Sequence, residues 1–137
     1  MCYYYGFGIT KDEKKAVKYY TLAANQGYAP ALNYLGACYR SGIGVLKDLN
    51  EAIRCYKLSA DQGFATAMNN LGVCYDNGFG VEKDLSEAFK YYSLAADQGD
   101  ALAQFNLGVC YKQGKGVKID LPKAIQYYKL AADQGDA

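Results

Sequence analysis

Ala67, Leu71 and Tyr75 fall at i, i+4 and i+8, with Cys74 beside them at i+7. That spacing draws one apolar face on an α-helix. A second helical face is drawn by Ala52, Tyr56, Ser59 and Ala60. Before it runs a glycine-rich passage, Gly42-Ile43-Gly44-Val45-Leu46-Lys47-Asp48, with counterparts from Gly78 to Asp84 and from Gly114 to Asp120. The first glycine of each passage is expected to end a helix in left-handed backbone, where a missing Cβ removes the steric penalty. Asp48 then caps the next helix, and Glu51 three residues on completes a capping box, repeated by Asp84 with Glu87. In the last copy Lys123 replaces the glutamate, but Pro122 suits a first helical turn. Gln-Gly pairs such as Gln62-Gly63 close the second helix. Each passage therefore joins two helices of about 12 or 13 residues into a hairpin.

The hairpin recurs at a fixed step of 36 residues. It links Gly27, Gly63, Gly99 and Gly135; Ala16, Ala52, Ala88 and Ala124; and Tyr20, Tyr56, Tyr92 and Tyr128, with no insertion anywhere. One hairpin cannot bury its own apolar stripe, so neighbouring copies must stack. The expected fold is all-α, a right-handed α/α superhelix (solenoid). It is read as one array over 1–137, with an incomplete first unit at 1–28 and complete units at 29–64, 65–100 and 101–136. Gly36, Gly72 and Gly108 sit mid-helix, where glycine costs ~1 kcal/mol relative to alanine. A cost met three times points to close approach of a partner helix, with the Tyr three residues downstream among the candidates to fill the space. The pairs Tyr91-Tyr92 and Tyr127-Tyr128 are expected to wedge between adjacent units. Cys2-Tyr3 aligns with Cys38-Tyr39 and Asp136-Ala137 with Asp100-Ala101. The chain thus reads as an excerpt of a longer array whose end faces favour end-to-end self-association.

Composition narrows the chemistry. Hydrophobic residues make up 51% and charged residues 21% of the 137, so the chain can fold. Lys plus Arg number 15 and Asp plus Glu 14, which gives no clustered positive charge for nucleic acid. Histidine is absent, removing the commonest general base and metal ligand. No apolar run approaches the ~20 residues of a membrane-crossing helix, and the first residues lack the pattern of a signal peptide. The Gly114-Lys115-Gly116 passage is a turn, not a phosphate loop, and the paired carboxylates at helix starts are caps. No catalytic residue, metal site or cofactor is expected, and the chain is not read as an enzyme. Cys2, Cys38, Cys74 and Cys110 share one repeat position and so stand ~8–10 Å apart or more. A disulfide needs Cα atoms within ~7 Å, so these four are not expected to pair with each other. Cys55 could approach Cys38 or Cys74 across a hairpin, but the odd total of five and the repeated position favour reduced, small packing residues, which suits a reducing compartment. Cys55 stands where other copies carry Tyr19, Tyr91 and Tyr127, leaving room for a local notch.

The pattern Ala-x-x-x-Leu-Gly-x-x-Tyr-x-x-Gly-x-Gly-Val, clearest from Ala67 to Val81, is followed by Lys-Ala-x-x-Tyr-Tyr-x-x-Ala-Ala-x-x-Gly, clearest from Ala124 to Gly135. Together they resemble Sel1-like repeats, relatives of tetratricopeptide repeats. The resemblance implies a protein–protein adaptor or scaffold whose first helices line a concave groove. Its exposed positions would be Asn33, Tyr34 and Arg40; Asn69, Asn70, Val73, Asp76 and Asn77; and Phe105, Asn106, Lys112 and Gln113. Asn70 and Asn106 recur at one position and would form a ladder gripping an extended peptide, with Tyr34 and Phe105 as apolar anchors. The implied partner is a protein or peptide, with no nucleic acid and no direct membrane insertion. The competing reading is a structural spacer, or a self-associating segment that acts through its end faces. Lys14, Lys18, Lys57, Lys90 and Lys129 read as a solvated outer face of the second helices.

Overall fold

The computed structural model describes residues 11–135, and every regular element among them is an α-helix. Two compact units divide between Gln62 and Gly63. The first contains α1 (Lys11–Asn25), α2 (Ala29–Ser41) and α3 (Leu49–Asp61). The second contains α4 (Ala65–Asn77), α5 (Leu85–Asp97), α6 (Ala101–Gln113) and α7 (Leu121–Gly135). Helices α2 and α3, α4 and α5, and α6 and α7 pack as hairpins, while α1 also packs on α2 and α5 on α6. The readings of Cys2-Tyr3 and of Asp136-Ala137 lie outside the described residues.

Helix ends follow the sequence chemistry with one correction. Gly42, Gly78 and Gly114 end their helices in left-handed backbone (φ 72°, 74° and 73°), each N–H donating to the carbonyl of Cys38, Cys74 or Cys110. Asp48 and Asp84 Oδ1 accept from the N–H of Glu51 and Glu87, and Asp120 Oδ1 from that of Lys123, all at 3.1 Å. The returning half of the capping box is absent from these loops. The N–H groups of Asp48, Asp84 and Asp120 instead donate to the carbonyls of Tyr39, Tyr75 and Tyr111, at 2.9, 3.0 and 2.9 Å. That leaves Glu51 to pair with Arg54, and Glu87 with Lys90. Each capping aspartate thus grips the second helix with its side chain and the first with its backbone, which fixes the hairpin angle.

The mid-helix glycines are sites of close approach, but the ring that fills each space comes from the second helix, 20 positions on. A Cβ on Gly36, Gly72 or Gly108 would lie 2.8, 2.6 and 2.8 Å from ring carbons of Tyr56, Tyr92 and Tyr128. Tyr39, Tyr75 and Tyr111 are turned elsewhere. Tyr75 stacks on Tyr91 and Tyr111 on Tyr127, with centroids 5.8 Å apart in both pairs. These pairs therefore lie within one hairpin rather than between units. Between successive hairpins of the second unit, Phe89 of α5 meets Tyr111 of α6 edge to face at 5.5 Å. A buried cluster there joins Tyr92, Ala95 and Ala96 to Ala103, Leu107 and Cys110. Loop glycines complete the stacking. A Cβ on Gly44 would strike the Glu13 carbonyl and Val17 of α1, and one on Gly116 the Leu85 carbonyl and Phe89 of α5.

Cys38, Cys55, Cys74 and Cys110 are buried and not joined in disulfides. The notch expected at Cys55 does not form. Its side chain is 0% exposed and packs with Val17, Leu35 and Cys38, so the smaller residue draws the core closed.

Candidate functional site

In the second unit, α4 and α6 lie so that Asn106 Nδ2 donates to Asn69 Oδ1 at 3.0 Å. The partners stand 37 residues apart, so the facing helices are offset by one residue from the 36-residue step. Asn69 is 4% exposed and Asn33, at the same repeat position, is also 4% exposed. Neither is exposed as expected: Asn69 faces the contact with α6, where a buried amide must find a partner, and Asn33 is equally buried at the same repeat position. Asn70 and Asn106 are half-buried.

Asp76 is engaged on two sides. Tyr92 Oη donates to its Oδ2 at 3.1 Å, and Lys115 Nζ to its Oδ1 at 3.3 Å. Burial raises the Tyr92 hydroxyl well above the usual tyrosine range, and the Asp76 charge beside it adds to the shift. This is a structural clamp across the α4–α5 hairpin and the loop after α6. Val73 packs half-buried against the core cluster. The Asn77 amide donates back to the Val73 carbonyl at 2.8 Å. Lys112 and Gln113 are exposed in the last turn of α6. Phe105 is 50% exposed and leans on Tyr128, centroids 5.4 Å apart.

Sequence reasoning missed Gln104. It is buried, donating to the Ala96 carbonyl at 3.4 Å and accepting from Gln134 at 2.7 Å. Leu32 and Met68 hold the same repeat position, so a lone glutamine there was the available signal.

In the first unit Tyr34 is 53% exposed, its ring tilted against Tyr20 at 5.4 Å. A shallow notch of about 280 Å³ opens beside it, walled by Tyr20, Tyr28 and Pro30. Arg40 is half-buried near the end of α2. Lys14, Lys18, Lys57, Lys90 and Lys129 are all exposed.

A larger groove of about 710 Å³ runs along α6 and α7, walled by Leu102, Phe105, Lys112, Tyr128, Ala131 and Ala132. Among the described residues, His, Cys, Asp and Glu are nowhere gathered in groups able to hold a metal ion, and no helix is long and apolar enough to cross a membrane.

The family model described as Sel1 repeat matches residues 1–28, 29–64, 65–100 and 101–136. Among solved structures, a Sel1 repeat protein from Oxalobacter formigenes is 40% identical, with a TM-score of 0.85 over 92% of this chain and 51% of that one. The Escherichia coli protein c5321, a protective antigen of uropathogenic strains with an SLR fold, is 39% identical, with a TM-score of 0.83 over 87% of this chain and 26% of that one. Helicobacter pylori cysteine rich protein B is 28% identical, with a TM-score of 0.70 over 91% and 90% of the two chains. The chain thus spans about half the Oxalobacter protein and a quarter of the E. coli antigen. No curated protein matches it.

Proposed function

The chain belongs to the Sel1 repeat family of helical repeat solenoids, generally protein–protein interaction modules, and on that premise we propose that it is a scaffold holding a peptide or partner protein on the exposed side of its first helices. The observation that carries this reading is that each compact unit presents an exposed aromatic from a first helix, Tyr34 on α2 in one and Phe105 on α6 in the other. Each is propped on a second-helix tyrosine at 5.4 Å. Aromatic side chains dominate interface energies, and a ring already held by a neighbour loses less freedom on binding. Asn106 adds a preset amide, since one of its two N–H groups is held by Asn69. Arg40 in the first unit, and Asn70, Asn77, Lys112 and Gln113 in the second, supply polar side chains, above buried Asn33 in the first and buried Asn69 with half-buried Val73 and Asp76 in the second.

The test is affinity capture by the wild-type chain against the triple variant Asn70→Ala, Phe105→Ala, Asn106→Ala, with folding checked by circular dichroism. Partner retention by the folded variant contradicts the reading.

A further inference from the structure

Both hairpins of the second unit close one corner in the same way. At the end of the second helix a glutamine amide turns back to the first helix of its own hairpin. Gln134 Nε2 donates to Gln104 Oε1 at 2.7 Å, and Gln98 Nε2 donates to Met68 Sδ at 3.6 Å. The two donors stand one 36-residue step apart, and so do the two acceptors. The acceptors differ in strength, since an amide oxygen accepts fully and a thioether sulfur only weakly. Methionine sulfoxide removes that difference. Its branching copies that of glutamine, with sulfur in place of Cδ, oxygen in place of Oε1 and a methyl group in place of the amide nitrogen. Gln104 therefore shows the shape Met68 takes on gaining one oxygen, with the partner glutamine already within reach. The sulfur is also accessible. Met68 is half-buried against the core cluster, but its contact with exposed Gln98 lies at the surface. Cys38, Cys55, Cys74 and Cys110 are buried, and peroxides attack exposed thiolates.

We propose that Met68 is a methionine-oxidation site, arranged so that Gln98 holds the sulfoxide and the unit stays folded. The oxidant is a hydroperoxide, hydrogen peroxide in the simplest case. The sulfur lone pair attacks one peroxide oxygen and the O–O bond breaks. The proton on the transferred oxygen passes to the departing hydroxide, which leaves as water. Sulfur gives up two electrons and the peroxide takes them. The new oxygen then accepts from Gln98 Nε2, as Gln104 Oε1 accepts from Gln134. A sulfoxide in a packed core ordinarily disrupts it, because a polar group arrives without a partner. Here the partner is in place beforehand. The site is independent of the scaffold reading, because neither Met68 nor Gln98 takes part in that surface.

The test treats the full chain with hydrogen peroxide at neutral pH and reads each sulfur by peptide mass spectrometry. Met68 should gain one oxygen while Cys38, Cys55, Cys74 and Cys110 gain none. The urea midpoint of the oxidised chain should equal or exceed that of the untreated chain. In Gln98→Ala the same oxidation should lower the midpoint. In Met68→Leu, which installs the residue found at position 32, peroxide should leave the midpoint unchanged, and this separates Met68 from Met1. Met68→Gln imitates the sulfoxide and should keep the wild-type midpoint. Adding Gln98→Ala to it should cost more than Gln98→Ala costs alone. An oxidation-linked fall in midpoint of equal size with and without Gln98 overturns the proposal. So does a Met68 that stays unmodified in the folded chain under peroxide that oxidises it in urea.

Discussion

Tyr92 lies against Gly72, its ring carbons 2.6 Å from the point where a Cβ on that glycine would project. The ring is buried and its hydroxyl is tied to Asp76, so it has nowhere to retreat. In an open helix Gly→Ala stabilises by ~1 kcal/mol. Here the clash opposes that gain, because overpacking a filled core costs about 1–3 kcal/mol. Gly72→Ala is therefore expected to lower stability in urea unfolding followed by circular dichroism. A raised midpoint would mean that the ring yields, and that the glycine has no role in packing.

The helix caps separate two contributions that a capping box would merge. Asp84→Ala removes the acceptor for the Glu87 N–H and should cost about 1 kcal/mol. Glu87→Gln should change stability by no more than a few tenths of a kcal/mol, because its carboxylate only pairs with exposed Lys90. Equal losses from the two variants, measured as shifts in urea midpoint, would restore the reciprocal box.

Burial pushes the thiols of Cys55 and Cys110 up to about 11 from 9.0, and raises Cys38 in the same direction. As pH rises through 9 the unfolded chain gives up these protons first, while the folded chain keeps them. Stability from this source is thus full below about pH 9 and is lost progressively toward about pH 11. Tyr92 adds to the loss above its own ordinary range, since burial and Asp76 raise it too. The urea midpoint should stay flat between pH 7 and 8.5 and fall by pH 10.5, with a shallower fall for Cys110→Ala. A midpoint that rises with alkaline pH contradicts the buried-thiol picture.

The hairpins were legible because their signals are local. Gly42 ends a helix within four residues of its acceptor, and Asp48 caps one within three. What escaped depends on a neighbour a full repeat away. α4 packs along α5 and is also reached by Asn106 of α6, so positions turned away from the hairpin core can still be covered. Periodicity alone then gives no way to tell an outward position from one facing the next helix. Asn69 looked exposed for that reason, and the diagonal offset that pairs it with Asn106 rather than with another repeat-equivalent residue is invisible in a strict 36-residue alignment. Cys55 is a different case: the position stands out in the repeat, but whether a smaller side chain leaves a notch or draws the core inward depends on how far its neighbours relax. Gln104 was passed over because its partners, Ala96 and Gln134, lie eight and thirty residues away on two different helices.

The exposed aromatics should also separate folding from recognition. Tyr34→Ala and Phe105→Ala remove rings already half in water, so each should shift the urea midpoint little while weakening partner binding about tenfold. Large losses of stability from either would assign these rings to the core.

The most direct measurement is site-specific photocrosslinking in native cell extract, with a benzophenone amino acid placed singly at Tyr34, Phe105, Lys57 or Lys90. A shared partner band at Tyr34 and Phe105, missing at Lys57 and Lys90, is the predicted result. A band confined to Lys57 and Lys90 would move recognition to the second helices and contradict the account.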